Sequence, residues 1–256
     1  MSYHAISLVL LFLGCSRPEP ADQPPVMEKP QSQQYDSPAK LVASMTKYRV
    51  GILSKGPKYS EEAINQRIQA TSDAWKQAIV DGKLVGAVRV ENPVDLWGLL
   101  FFKTESMDEM KAIASNSVLV KEGILSGEVV EVWGTRGLGA GLAESLKVNM
   151  DSKLTEEEHY MAIYRKGENW SEKSDDPSTR EATAEGMKYL FDLYNSGKLK
   201  YYAAVEDMTR PARGVAIVNA ASLEEARAMA EKGPMVMKKW HTVEVVPVAV
   251  LGGVLP

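Results

Sequence analysis

Residues 81–91 read DGKLVGAVRVE and residues 196–206 read SGKLKYYAAVE. In both, Gly-Lys-Leu opens a run that closes on a Glu, Glu91 or Glu206, eight residues after the Lys. The flanking sequence recurs as well, so the chain reads as a duplicated unit. Self-similarity at a long period sets the architecture before any single residue is interpreted.

Working outward from the first copy, residues 48–54 (YRVGILS) have the β-branched, apolar character of a strand. Lys55-Gly56-Pro57-Lys58-Tyr59 is a turn. Ser60 caps a helix whose first turn carries Glu61 and Glu62, which favour the positive end of the dipole. Ile64, Ile68, Thr71, Trp75 and Ile79 follow at helical spacing, and Gly82 stops the helix. Strands are expected at residues 84–90 and 96–103, with a break at Asn92-Pro93. Ser106-Met107-Asp108-Glu109 is a capping box opening a second helix, and residues 128–133 form the closing strand.

The second copy repeats that order. It runs through a strand at 159–165, a turn from Lys166 to Trp170, and a helix capped at Ser178 and ending at Gly197. Strands at 199–205 and 214–219, a helix capped at Ser222 and a strand at 242–248 complete it. The expected fold is α+β: two ferredoxin-like β-α-β-β-α-β repeats, at 44–136 and 158–256, joined by a glycine-rich linker at 137–157. Each repeat leaves one apolar sheet face uncovered by its helices. The two faces are therefore expected to bury each other as an intramolecular barrel or sandwich with a cleft between them.

Residues 5–14 (AISLVLLFLG) are apolar or small and end at Cys15, the single Cys of the chain. Ten such residues are too few to span a bilayer but suit the apolar core of an export signal. The run ending in Cys15 resembles the lipobox of bacterial lipoproteins. That resemblance implies a signal segment at 1–15, lipidation of Cys15, and, with Ser16 following it, attachment to an outer membrane facing the periplasm. Residues 16–43 carry Pro18, Pro20, Pro24, Pro25, Pro30 and Pro38 and read as an extended, disordered tether.

The apolar share of 45% and charged share of 25% are those of an ordinary globular protein. A formal net charge of -4 excludes a broad basic field, and with it nonspecific nucleic-acid binding as the main task. With one Cys and three His, no metal site and no cofactor is expected.

The Lys-Gly-Pro-x-aromatic-Ser turn, long helix, Gly-Lys-Leu strand and capped second helix resemble the YCII-related proteins. These are small dimeric α+β-barrel proteins akin to the muconolactone isomerase group. The resemblance implies a catalytic His in the first helix and an Asp in an Asp-Pro step after the second. Here Thr71 or Ser72 and Gly186 stand near the place of the His. Ser117-Val118 and Gly233-Pro234 stand at the Asp-Pro step. General acid–base chemistry of the family's kind loses its groups, and no catalytic residue is assigned.

Candidate ligand contacts are the Lys–aromatic pairs Lys55/Tyr59 and Lys166/Trp170 at the mouth of each turn, against the plainer reading of an aromatic packed on its helix. Glu91 and Glu206 at the strand ends are a candidate carboxylate pair across a pseudo-twofold axis, or solvated charges. His241 is a candidate cleft residue, or a satisfied His. Function is expected to be that of an envelope binding or structural module, bound to the membrane by its anchor, with a small ligand between the repeats or a second copy of the chain as further partners. The alternative is an isomerase or lyase with its site in the cleft between the repeats.

Overall fold

The structure is a computed structural model describing residues 35–91, 95–104, 106–152, 154–171 and 177–256. Cys15 and its signal segment, the tether to residue 34 and the Asn92-Pro93 break lie outside the described residues.

Residues 35–43, read from sequence as the end of the tether, pack against the body. Ser37 caps α1 (Pro38–Ser44) and Leu41 is buried. Tyr35 lies 5.6 Å from the ring of Tyr194 and exchanges two hydrogen bonds with Asn195. One leucine and one tyrosine on an apolar helix face suffice to fold this segment back.

The chain continues through β1 (Thr46–Lys55), α2 (Glu61–Val80), β2 (Leu84–Val90), β3 (Leu96–Phe102), α3 (Met107–Ser115), α4 (Val118–Lys121) and β4 (Leu125–Gly134). After α5 (Ala140–Val148) come β5 (Glu156–Lys166), α6 (Pro177–Asn195), β6 (Leu199–Val205), β7 (Ala212–Val218), α7 (Leu223–Glu231), α8 (Pro234–Met237) and β8 (His241–Leu251). Ser60, Ser106 and Ser222 cap α2, α3 and α7 through their side chains. The expected cap at Ser178 falls inside α6, which begins at Pro177. The linker is ordered too: Leu142 and Leu146 of α5 are buried, and Gly253 and Val254 accept its first amides.

The strands close into one antiparallel barrel in the order β1-β3-β2-β8-β5-β7-β6-β4. Four-strand sets from the two halves therefore meet edge to edge. One seam pairs β2 with β8 through Val88–Val250 and Val90–Val248. The other pairs β4 with β6 through Val132–Val205 and Gly134–Ala203. A closed ring leaves no strand edge unpaired.

Strand alternation sorts side chains between the barrel interior and the helix layer outside it. Along β6, Tyr201, Ala203 and Val205 are buried toward the interior, while Tyr202 and Ala204 face α6. Ile163 and Arg165 of β5 turn in and Tyr164 between them turns out. Among the described residues no helix is long and apolar enough to cross a membrane.

Candidate functional site

A cavity of about 520 Å³ lies between the outer face of the second-half sheet and α6, with α8 along its side. The outward positions of four strands supply one wall: Tyr164, Tyr202 with Ala204, Arg213 and His241. Met187 and Leu190 of α6 and Met235 and Val236 of α8 supply the apolar wall opposite. Trp170 and Ser171 stand where β5 turns toward the helix.

The aromatic and basic side chains here are stacked in sequence. The His241 ring lies 5.6 Å from that of Trp170 with 22° between planes, and 5.9 Å from that of Tyr164. The Arg213 guanidinium lies 4.8 Å from the Trp170 ring centre. Burial first, then the charge of Arg213, push the His241 imidazole from its ordinary 6.5 down to about 4, so it is neutral at neutral pH. Burial drives the Tyr164 phenol far up and holds the Tyr202 phenol up against the opposing pull of Arg213. Ionised phenols are thus absent from this wall at neutral pH.

The corresponding space in the first half is filled. There Leu53, Trp75, Trp97, Leu119 and Leu125 are all buried in one apolar cluster. Trp75 stands seven residues before the helix-ending Gly82, as Leu190 stands seven before Gly197. An indole in one half thus takes the place of an isobutyl group in the other, and its volume closes the gap.

Of the residues expected from sequence, Trp170 and His241 line this cavity. Lys166 lies over the Trp170 ring at 5.9 Å and donates to the carbonyl of Thr209 at 3.2 Å, without lining it. Lys55 lies over Tyr59 at 4.7 Å, and the Tyr59 hydroxyl donates to Glu61. That first-half pair borders no cavity among those described. Glu91 and Glu206 are not brought together: their amides close the two seams, on Pro247 and Glu131 respectively, which lie half the ring apart. The Glu206 carboxylate instead meets Lys47 Nζ at 2.8 Å.

The space between the halves, where a ligand was expected, is a second cavity of about 260 Å³ inside the barrel. Valines, leucines and isoleucines dominate its lining, with Ser54, Asp95 and Arg165 among them, and none of the expected ligand residues reaches it. Inward positions of a small closed barrel are filled by packing side chains, which is why the roomier site lies outside the ring. Among the described residues no group of three or more His, Cys, Asp and Glu side chains is placed to hold a metal ion.

Residues 159–251 match the YCII-related domain. The whole cavity lining falls within that span. The positions at which the resemblance places a catalytic His and Asp are Gly186 and Gly233 here, and both line the cavity. Neither glycine carries a side chain that could give or take a proton. No curated protein matches the sequence. Among solved structures, one variant of chlorite dismutase from Candidatus Nitrospira defluvii aligns over 84% of this chain and 94% of its own, at 9% identity and a TM-score of 0.50. Another variant of the same enzyme aligns over 84% and 94%, at 10% identity and a TM-score of 0.50. At such identity the likeness is one of fold, the dimeric α+β barrel of the chlorite dismutase-like kind.

Arg213 was not foreseen. Its signal is a charged residue in the sequence Arg210-Pro211-Ala212-Arg213-Gly214, at a position where the matching strand of the first half has Trp97 before Gly98.

Proposed function

We propose that this chain is a small-molecule-binding protein whose site is the cavity between α6 and the sheet of its YCII-related half. The observation that carries this reading is the asymmetry between halves. One has an open cavity of about 520 Å³, within the range of ligand pockets. The other has the same place packed with Trp75, Trp97 and leucines. A half-open apolar cleft of this size leaves apolar side chains against water, which an apolar ligand would relieve. We read the two halves as copies of one unit, the first filled in and the second kept open. Binding without the family's chemistry fits Gly186 and Gly233 at the catalytic positions. The isomerase or lyase alternative has no observation in its favour.

Leu190→Trp tests this by transplanting the first half's filling. A compound screen by thermal shift should yield ligands that raise Tm of the parent, by an amount set by concentration over Kd. Those shifts should vanish in Leu190→Trp, whose own Tm stays at or above the parent's. Ligands that stabilise both proteins equally would place binding elsewhere.

We further propose that the binding body is exported and held at an outer membrane by lipid on Cys15, through the Pro-rich stretch that follows. The support is the apolar run ending at the single Cys. Fatty-acid labelling should mark the parent and not Cys15→Ser; an unlabelled parent ends the claim.

A further inference from the structure

Arg213 is 6% exposed and outward-facing on β7. Its Nη1 donates to the carbonyl of Asp207 at 2.9 Å and its Nη2 to that of Val205 at 3.0 Å. Its Nε has no hydrogen-bond partner. No carboxylate among the described residues lies within ion-pair distance of it. The Asp207 carboxylate is taken by the Thr209 amide and hydroxyl, at 2.9 and 2.6 Å.

Main-chain dipoles and the Trp170 ring face partly solvate the guanidinium, and the Asp207 carboxylate attracts it only from beyond ion-pair distance. A buried charge left without a counterion costs several kcal/mol. Buried ionisable groups with perturbed environments cluster at functional sites, and this one stands at a cavity wall. Among the described residues that line the cavity, no Asp or Glu stands against Arg213. The His241 imidazole is held neutral chiefly by burial, and the charge of Arg213 adds to that effect. Trp170 Nε1 and Thr179 Oγ1, both on lining residues, are likewise buried without partners. Against this cationic end stand the apolar side chains Met187, Leu190, Met235 and Val236.

We propose that the cavity takes a monoanionic organic acid with an apolar body, its carboxylate or sulfonate drawn to the Arg213 end and its body laid against Met187, Leu190 and Met235. This assignment of ligand class rests on the cavity being a ligand site at all. The electrostatics decide the class: Coulomb attraction at a few ångströms in a partly desolvated site outweighs the gain from any single neutral hydrogen bond. The apolar wall excludes a small, fully hydrated anion as the preferred occupant, because it would bury apolar surface against nothing.

Two fluorescent dyes with the same aromatic body test the two statements separately: anilinonaphthalene sulfonate, and neutral N-phenylnaphthylamine. Each is titrated at neutral pH into the full chain, into Arg213→Met and into Leu190→Trp. The parent should bind the sulfonate at least about tenfold more tightly, a difference of about 1.4 kcal/mol. In Arg213→Met that preference should collapse toward unity while the neutral dye still binds, and Leu190→Trp should lose both dyes. Equal affinities in the parent, or an unchanged preference in Arg213→Met, would overturn the anion assignment yet leave the ligand site standing if Leu190→Trp still loses both. Full binding of both dyes by Leu190→Trp, or of neither by the parent, would remove site and assignment together. Should Arg213→Met not fold, displacement of N-phenylnaphthylamine from the parent decides the matter: decanoate should compete at least about tenfold better than decanol, and parity overturns the assignment.

Discussion

Trp97 and Arg213 occupy the same place in two strands of the barrel. Each is the second residue of its strand, β3 or β7, and each precedes a glycine pressed against its neighbour. A Cβ on Gly98 would lie 2.5 Å from the carbonyl oxygen of Val88, and one on Gly214 would lie 2.5 Å from that of Ala203. The backbones approach alike, so at this place, as at Trp75 and Leu190, the halves differ by side chain. The indole fills its space; the guanidinium leaves its space open and charges it.

This difference sets unequal stability costs for truncation. Trp97 is buried among Leu53, Trp75 and Leu119, so Trp97→Ala opens a void and should cost about 3–5 kcal/mol. Arg213→Met removes a charge that lacks an ion-pair partner but also takes the donors from the Asp207 and Val205 carbonyls, so the effects offset and the loss should stay under about 2 kcal/mol. Urea unfolding of the two variants measures both. Comparable losses would mean that Arg213 is a structural prop and not the charged wall of a site.

The imidazole of His241 faces Trp170, Tyr164 and the charge of Arg213. Its pKa lies at about 4 in the folded chain against 6.5 when exposed. Between those values the unfolded chain binds the extra proton, so stability falls as pH falls. The loss begins below pH 6.5 and is complete below about pH 4. Its slope approaches about 1.4 kcal/mol per pH unit at most, and less for the part of the ring still wetted. His241→Phe keeps a ring beside Trp170 and should flatten this limb of the curve. An identical limb in the variant would assign the acid sensitivity to other groups.

The elements were legible because their signals are local. Ser60, Ser106 and Ser222 each accept an amide hydrogen bond three residues on, as their capping patterns demand. The Lys–aromatic spacing was legible for the same reason. Gly56 and Gly167 bond to Ile124 and Trp240 and place Tyr59 and Trp170 alike. Closure of the ring was not legible, because strands rich in valine on both faces, such as β2 and β8, do not say which edge they join. The folded-back segment at Tyr35 and Leu41 was hidden by the prolines before and within it, Pro30 and Pro38. The cavity was hidden for a different reason: an empty volume has no residue of its own. It is written in what is small, Leu190 where the first half has Trp75, and in Arg213, a charge on a strand face where packing asks for an apolar group.

Glu206, expected at a ligand site, belongs to the β4–β6 seam. Its carboxylate meets Lys47 at 2.8 Å, and Lys47 in turn lies 3.6 Å from Glu131. The hydrogen bond from Lys47 holds the Glu206 carboxyl below its ordinary pKa, yet both side chains are well exposed, and exposed pairs contribute little. The seam's strength lies beneath them. Gly134 pairs with Ala203, and directly behind it sits Tyr201, 0% exposed, with its ring 5.2 Å from that of Phe101. A Cβ on Gly134 would come 2.3 Å from the Tyr201 hydroxyl and 2.9 Å from the ring carbon that bears it. That ring is locked in the barrel interior and cannot swing away, so the strands must part. Glu206→Gln should therefore change stability by under about 1 kcal/mol, and Gly134→Ala should cost about 1–3 kcal/mol through overpacking. Chemical denaturation of the two variants ranks them. A larger loss from Glu206→Gln would mean that charge, rather than backbone pairing over a close-packed interior, holds the two halves of the ring together.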